Sequence, residues 1–278
     1  MERAPRIAGY ELVQPLGGGP FARVWTAHDA DNDTLVALKL LRDDSPYGET
    51  ALTLLRREAS AGIGVTHPHL VRIRTDHTHE PPYYLTMDLL RGEPLRSALR
   101  RRYRLRPATA LWIIRQVAEA LAAVHRAGFV HGDVKPENVR LTDSHTSVLI
   151  DLGFAHRPGA NARFFNDGLI LGTANYMAPE VCSLNPDADG KADIFSLGVM
   201  LFELVTGKLP FPIGTSAQTM EAHRTLSPAD LRDEPGQWPQ GLPALIRRLM
   251  AHYSSARPHA AALVPDLIAL EIAALRAA

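Results

Sequence analysis

The hydrophobic period of the chain changes near residue 91, and that change limits the folds open to it. Before it, the runs YELVQPL (10–16), ARVWTAHD (22–29), LVALKLL (35–41), LVRIRTDH (70–77) and YYLTMDLL (83–90) alternate with turn formers, the texture of a small sheet. One stretch, about 49–61, interrupts them with helical spacing. After residue 91 helices dominate: in TALWIIRQVAEALAAVHRAG, Leu111, Ile114, Val117, Ala118, Leu121 and Val124 recur at three- and four-residue steps. Basic residues fill its last turn before Gly128. A second long helix is predicted from about Asp193 to Thr206, ended by Gly207 and Pro210. The chain therefore reads as α+β, a β-rich part over 1–90 and an α-rich part over 91–278, with a hinge near Asp88 to Gly92.

Composition narrows the function classes. Lys and Arg total 30, as do Asp and Glu, so no global field draws the chain to nucleic acid or an anionic membrane. The single cysteine, Cys182, forms no internal disulfide, which suits a reducing compartment. MERAPRIAGY lacks the apolar core of a signal peptide, and Glu203, Pro265, Asp266, Glu271 and Arg276 interrupt the most apolar windows. These features predict a cytoplasmic chain with neither nucleic-acid nor membrane partners.

Four spaced elements carry chemistry. LGGGPFARV (16–24) sets Gly17, Gly18 and Gly19 between two predicted strands, where bare backbone can approach a polyphosphate. One strand later, VALK places Lys39 where alternation aims its ammonium under that loop, with Glu58 on the predicted helix as its acidic partner. In HGDVKPEN (131–138), Asp133 is suited to accept the proton of an attacking hydroxyl and Lys135 to neutralise a moving phosphoryl group. Asn138 of that loop and Asp151 of DLG, which follows the apolar strand SVLI, supply oxygens for a divalent metal. Phosphoryl transfer needs such charge neutralisation and alignment more than covalent help.

Taken together these elements resemble the catalytic domain of eukaryotic-type (Hanks-type) Ser/Thr protein kinases, from about Tyr10 to Ile268. The resemblance implies a two-lobed kinase fold, ATP and Mg2+ as cofactors, and protein substrates with Ser or Thr acceptors. It implies a nucleotide site that includes Leu16, Gly17, Gly18, Gly19, Val24, Ala37, Lys39 and Asn138, with Met87 as gatekeeper and Asp88 to Leu90 as adenine-contacting hinge. Asp133 takes the place of the catalytic base, Lys39 and Glu58 of the activating ion pair, and Asn138 and Asp151 of the metal ligands. GTANYMAPE (172–180) resembles the substrate-receiving segment, with Thr173 bonding toward Asp133 and Glu180 pairing with Arg257; Asp193 matches the residue that ties down the catalytic loop. The HGD triplet also occurs in small-molecule phosphotransferases of the aminoglycoside and choline kinase type, which as a rule lack the Lys135-Pro136 pair and the YMAPE segment present here. A pseudokinase scaffold is disfavoured because Lys39, Asp133, Asn138 and Asp151 are all intact.

Departures from the family pattern are specific. Gly132 stands where an Arg usually holds a phosphorylated residue of the activation segment, and no Ser, Thr or Tyr lies between Asp151 and Gly172. The segment is therefore expected to be ordered without phosphate, by packing of Phe164, Phe165, Leu169, Ile170 and Leu171. Ala22 replaces a loop glycine, and Pro20 removes a backbone N–H at the tip, which predicts weaker ATP binding. Glu137 lies where basophilic relatives place an acid to meet a substrate Arg. HTHE (77–80) and RRRYRLR (100–106) read as solvated segments, and Cys182 as inert packing.

Overall fold

The structure is a computed structural model, described over residues 5–276. The chain divides into two compact units, among the described residues one of 5–67 with Val71–Arg91 and Asp151–Gly153, the other of Pro68–Leu70, Gly92–Ile150 and 154–276. Relative to a single break at residues 90 and 91, a short segment moves each way. Asp151–Gly153 packs with the sheet-rich unit, and Pro68–Leu70 with the helical one.

The first unit is an antiparallel sheet of β1 (Tyr10–Gly18), β2 (Ala22–Asp29), β3 (Thr34–Leu41), β4 (Ile73–His77) and β5 (Tyr84–Asp88), in the order β1-β2-β3-β5-β4. Alternation along β3 sorts its side chains onto two faces. Val36, Leu38 and Leu40 join Ile7, Ala27 and Tyr84 in one buried cluster. The other face receives helix α1 (Gly48–Gly62), whose Leu55 and Ala59 bury Leu85 of β5. Leu85 is the register partner of Lys39. Lys39 thus emerges on the face that α1 covers.

The second unit is built on helices α2 (Leu95–Arg102), α3 (Pro107–Arg126), α4 (Ala162–Asn166), α5 (Pro179–Cys182), α6 (Lys191–Thr206), α7 (Ser216–Thr225), α8 (Leu242–Leu249) and α9 (Ala260–Arg276). Every residue of α6 from Ala192 to Thr206 is buried. Fully burying side chains such as Phe195 and Phe202 contributes roughly 1.5–3 kcal/mol each. That makes α6 the fixed frame of the unit. It stops at Gly207, where φ is 77° and an added Cβ would lie 2.5 Å from the Tyr103 carbonyl oxygen, so only glycine fits. Arg115 of α3 clips α9 through Glu271 at 2.8 Å.

A small sheet of β6 (Gly92–Pro94), β7 (Val139–Thr142) and β8 (Ser147–Leu149) also belongs to this unit. Only its last strand, in the apolar run SVLI, was legible from pattern; GEP and VRLT carry no such run to mark them. The α+β class, with a sheet-rich and a mainly helical unit, is as expected. Among the described residues no helix is long and apolar enough to cross a membrane.

Candidate active site

In the first unit, three charges meet at the base of β3. Lys39 Nζ donates to Glu58 Oε2 at 2.6 Å and to Asp151 Oδ1 at 2.7 Å, and the lysine side chain is only 16% exposed. Burial disfavours the ammonium, but Asp151 and Glu58 outweigh it and hold its pKa above the ordinary lysine value. Glu58 behaves differently: burial, reinforced by the Asp151 carboxylate, overcomes the pull of Lys39 and pushes it up to about 7. Its second oxygen, Oε1, is buried with no hydrogen-bond partner. Asp151 itself adopts a φ of 67° and accepts the Gly153 N–H at 3.2 Å, which folds DLG into a tight turn.

The glycine-rich loop carries Leu16, Gly17, Gly18 and Gly19, all exposed. Ala22 begins β2 with ordinary strand backbone, so its replacement of glycine is tolerated. The Gly19 N–H is spent on the Ala22 carbonyl at 2.9 Å. With Pro20 lacking an N–H, two donors that could face a phosphate are gone from the tip. Val24 pairs in register with Lys39, and Ala37 with Met87. Met87 is buried, while Asp88 is held by Arg74 at 2.7 Å and Leu90 is half-buried.

In the second unit the catalytic loop converges on one carboxylate. Asp133 Oδ2 lies 2.6 Å from Lys135 Nζ, and Oδ1 accepts the Thr173 hydroxyl at 2.7 Å. Lys135 Nζ also donates to Thr173 Oγ1 at 2.6 Å, closing a three-membered ring of contacts. Asn138 Nδ2 donates to the Asp133 carbonyl at 2.8 Å and to Oδ2 at 3.0 Å. This use of the amide nitrogen leaves the Asn138 side chain a neutral oxygen donor, and Asp151, in the first unit, carries an anionic one. Both fit the hard-oxygen preference of Mg2+.

The loop is hung from α6. Asp193 Oδ2 accepts the His131 N–H at 2.8 Å and Oδ1 the Gly132 N–H at 2.9 Å. His125, at the end of α3, donates Nε2 to the same Oδ2 at 2.8 Å. Burial opposes ionisation of Asp193, yet His125 and the Gly132 backbone outweigh it and hold its pKa below the usual aspartate value. In the sequence His125 stands only as a basic residue in the last turn of a helix; its partner lies on another helix and leaves no local signal. Gly132 has a φ of 80°, and an added Cβ would lie 2.9 Å from the Phe154 carbonyl oxygen. A side chain there is strained in this backbone.

The activation segment is ordered partly as expected. Phe165 and Leu171 are buried and Phe164, Leu169 and Ile170 are half-buried, so burial is uneven across the five apolar residues expected to order it. Backbone adds to that order: Val130 and His156 exchange hydrogen bonds at 2.8 and 3.0 Å, an isolated bridge that pairs the segment with the residue leading into the catalytic loop. Arg257 grips Glu180 with two bonds at 2.6 and 2.9 Å and is itself fully buried.

Glu137 is engaged within the chain. Arg96 of α2 donates to it at 2.7 Å, to Glu203 at 2.5 Å, and to the Tyr176 hydroxyl, which in turn donates to Glu203 at 2.6 Å. The acid already faces an arginine of its own chain. Nothing in the sequence near Glu137 announced Arg96, because the two are brought together only by the packing of α2. Cys182 is buried and its thiol is pushed up to about 12 by burial and Glu180, which makes it inert. In HTHE, His77 stacks on Tyr84 and bonds the Pro82 carbonyl at 3.0 Å. No cluster of three metal-ligating side chains occurs there or elsewhere among the described residues.

Comparison with known proteins agrees with this geometry. Residues 10–266 match the protein kinase domain family, and the chain belongs to that family. It is 34% identical over 245 residues to the serine/threonine-protein kinase PknD of Mycobacterium tuberculosis, covering 87% of this chain and 36% of PknD. PkaB of Streptomyces coelicolor, another serine/threonine-protein kinase, is 37% identical over 225 residues, covering 78% of this chain and 53% of PkaB. PrkC of Bacillus subtilis is 33% identical over 207 residues, covering 74% of this chain and 32% of PrkC. The chain thus spans between a third and about half the length of these relatives, and the eukaryotic-type Ser/Thr kinase resemblance is borne out.

Proposed function

We propose that the chain is a Ser/Thr protein kinase that moves the γ-phosphate of Mg-ATP to Ser or Thr hydroxyls of proteins in the cytoplasm. The observation that carries this reading is the Asp133 carboxylate fastened between Lys135 and Thr173 with Asn138 behind it. As the acceptor oxygen bonds to phosphorus and the bond to ADP breaks, the hydroxyl proton passes to Asp133. Lys135, already beside that carboxylate, offsets charge on the transferring group. Lys39, locked by Glu58 and Asp151, grips nucleotide phosphate oxygens. Asn138 and Asp151 would hold Mg2+, which supplies charge neutralisation for the phosphates. The name of every relative compared above contains the words serine/threonine-protein kinase, which supports the acceptor class.

Two assays test this. Wild-type chain with Mg-ATP and a generic basic protein is expected to label Ser and Thr, and Asp133→Ala to lower kcat by roughly 10²–10⁴-fold. Label reaching only a small-molecule alcohol, or no label at all, would overturn the reading. We further infer that activity needs no phosphate on the activation segment, because no Ser, Thr or Tyr lies between Asp151 and Gly172 and position 132 is Gly in place of an arginine. Phosphatase-treated enzyme should keep its full rate; a large loss would refute this.

A further inference from the structure

The tip of the glycine-rich loop is tied to the linker between β3 and α1 by contacts that the loop motif itself does not require. Ser45 Oγ donates to the Pro20 carbonyl at 2.9 Å, and the Arg42 N–H donates to the Phe21 carbonyl at 3.1 Å. The rings of Phe21 and Tyr47 meet with centroids 4.8 Å apart, tilted by 55°. The linker is folded to receive them. Arg42 clasps Asp44 with two bonds at 2.8 and 2.7 Å, and the Ser45 N–H returns to the Arg42 carbonyl at 3.2 Å. Tyr47 then caps α1, its carbonyl accepting from Thr50 at 2.8 Å. A continuous path of contacts runs from the loop tip to the helix that carries Glu58.

Such a path matters more here than in a loop with all its donors. Gly17, Gly18 and Gly19 make the tip costly to order, since glycine loses the most conformational freedom when fixed. Pro20 offers no N–H, and Gly19 has spent its own on Ala22 at 2.9 Å. A loop with few phosphate donors gains affinity chiefly by arriving already in shape.

We propose that Ser45 and Tyr47 are positioning residues for the nucleotide, latching the loop tip and coupling it to α1. The inference rests on the kinase reading for its ligand, but the latch is read separately in the nucleotide-free chain. In the Ser45→Ala/Tyr47→Ala double variant, the Kd and KM for Mg-ATP should rise about five- to tenfold, the low end of the range for losing one hydrogen bond and one ring contact, because both lie at the surface. The loss should fall on KM, with kcat changed by less than about twofold, a split set by binding rather than by the transition state. Amide exchange over residues 17–22 of the free chain should quicken. Ser45→Thr and Tyr47→Phe, which keep the hydroxyl and the ring, should restore wild-type values. Unchanged KM together with unchanged exchange overturns the latch, as does a loss shared equally by kcat and melting temperature, which marks a merely structural contact. A wild-type chain with no measurable affinity for Mg-ATP would overturn the kinase reading instead, while exchange in the free chain still decides the latch.

Discussion

Two buried carboxylates, Glu58 in α1 and Asp193 in α6, shift in opposite directions. Burial opposes the charge of both. Asp193 wins because each oxygen receives hydrogen bonds, from two backbone N–H groups and from His125, and it stays ionised below the usual range. Glu58 has one strong partner, Lys39, which it shares with Asp151, and its Oε1 has none, so it rises to about 7. The number of donors aimed at the charged form, rather than depth of burial, decides between them. Asp193 is an anchor on a buried helix. Glu58 is a charge held marginally, on a helix whose start leans against the glycine-rich loop.

Removing the anchor gives the largest expected effect. Asp193→Ala strands the His131 and Gly132 amides and a helix-end histidine, and should cost about 3–5 kcal/mol by denaturant unfolding. A loss under about 1 kcal/mol would break the comparison. A second ionic centre in the helical unit ranks next: Arg96→Ala leaves Glu203, 8% exposed, without its cation. It should cost about 1.5–3 kcal/mol, measured the same way. Arg96→Lys should recover only part, since one ammonium cannot span Glu137, Glu203 and Tyr176 as a planar fork does.

The smallest effect on stability falls at Glu58. Its folded pKa of about 7 lies above the reference 4.5, so the native state binds the proton more tightly than the unfolded chain. Its contribution therefore grows as pH falls through about 7 and is complete below 4.5. Glu58→Gln should match wild type within about 1 kcal/mol in acid, and the gap between them should shift in favour of the variant as pH rises past 7. Wild-type kcat/KM should climb through about pH 7 as the ion pair forms, and the variant should lack that limb. Identical pH profiles of unfolding and rate for the two proteins would remove the contrast with Asp193.

Much of the site was legible because its residues sit in local patterns. Strand alternation put Lys39 on one face of β3, and the spacing within HGDVKPEN put Asp133, Lys135 and Asn138 on one short loop. Thr173, Glu180, Arg257 and Asp193 were reached through family resemblance, and each meets its expected partner. What pattern could not show was any pairing between elements with no periodic relation. Arg96 with Glu137, His125 with Asp193, and Ser45 with Pro20 fall in this class. The five apolar residues of the activation segment illustrate the same limit: apolar character marked candidates, and only packing chose Phe165 and Leu171.

The sequence by itself determined the class of fold, the family and the identity of the charged groups, because hydrophobic period and short-range spacing are properties of neighbours along the chain. Tertiary structure decided which of those charges are satisfied and which are strained. A carboxylate's state depends on how many donors reach it in space, and helices far apart in sequence bring those donors.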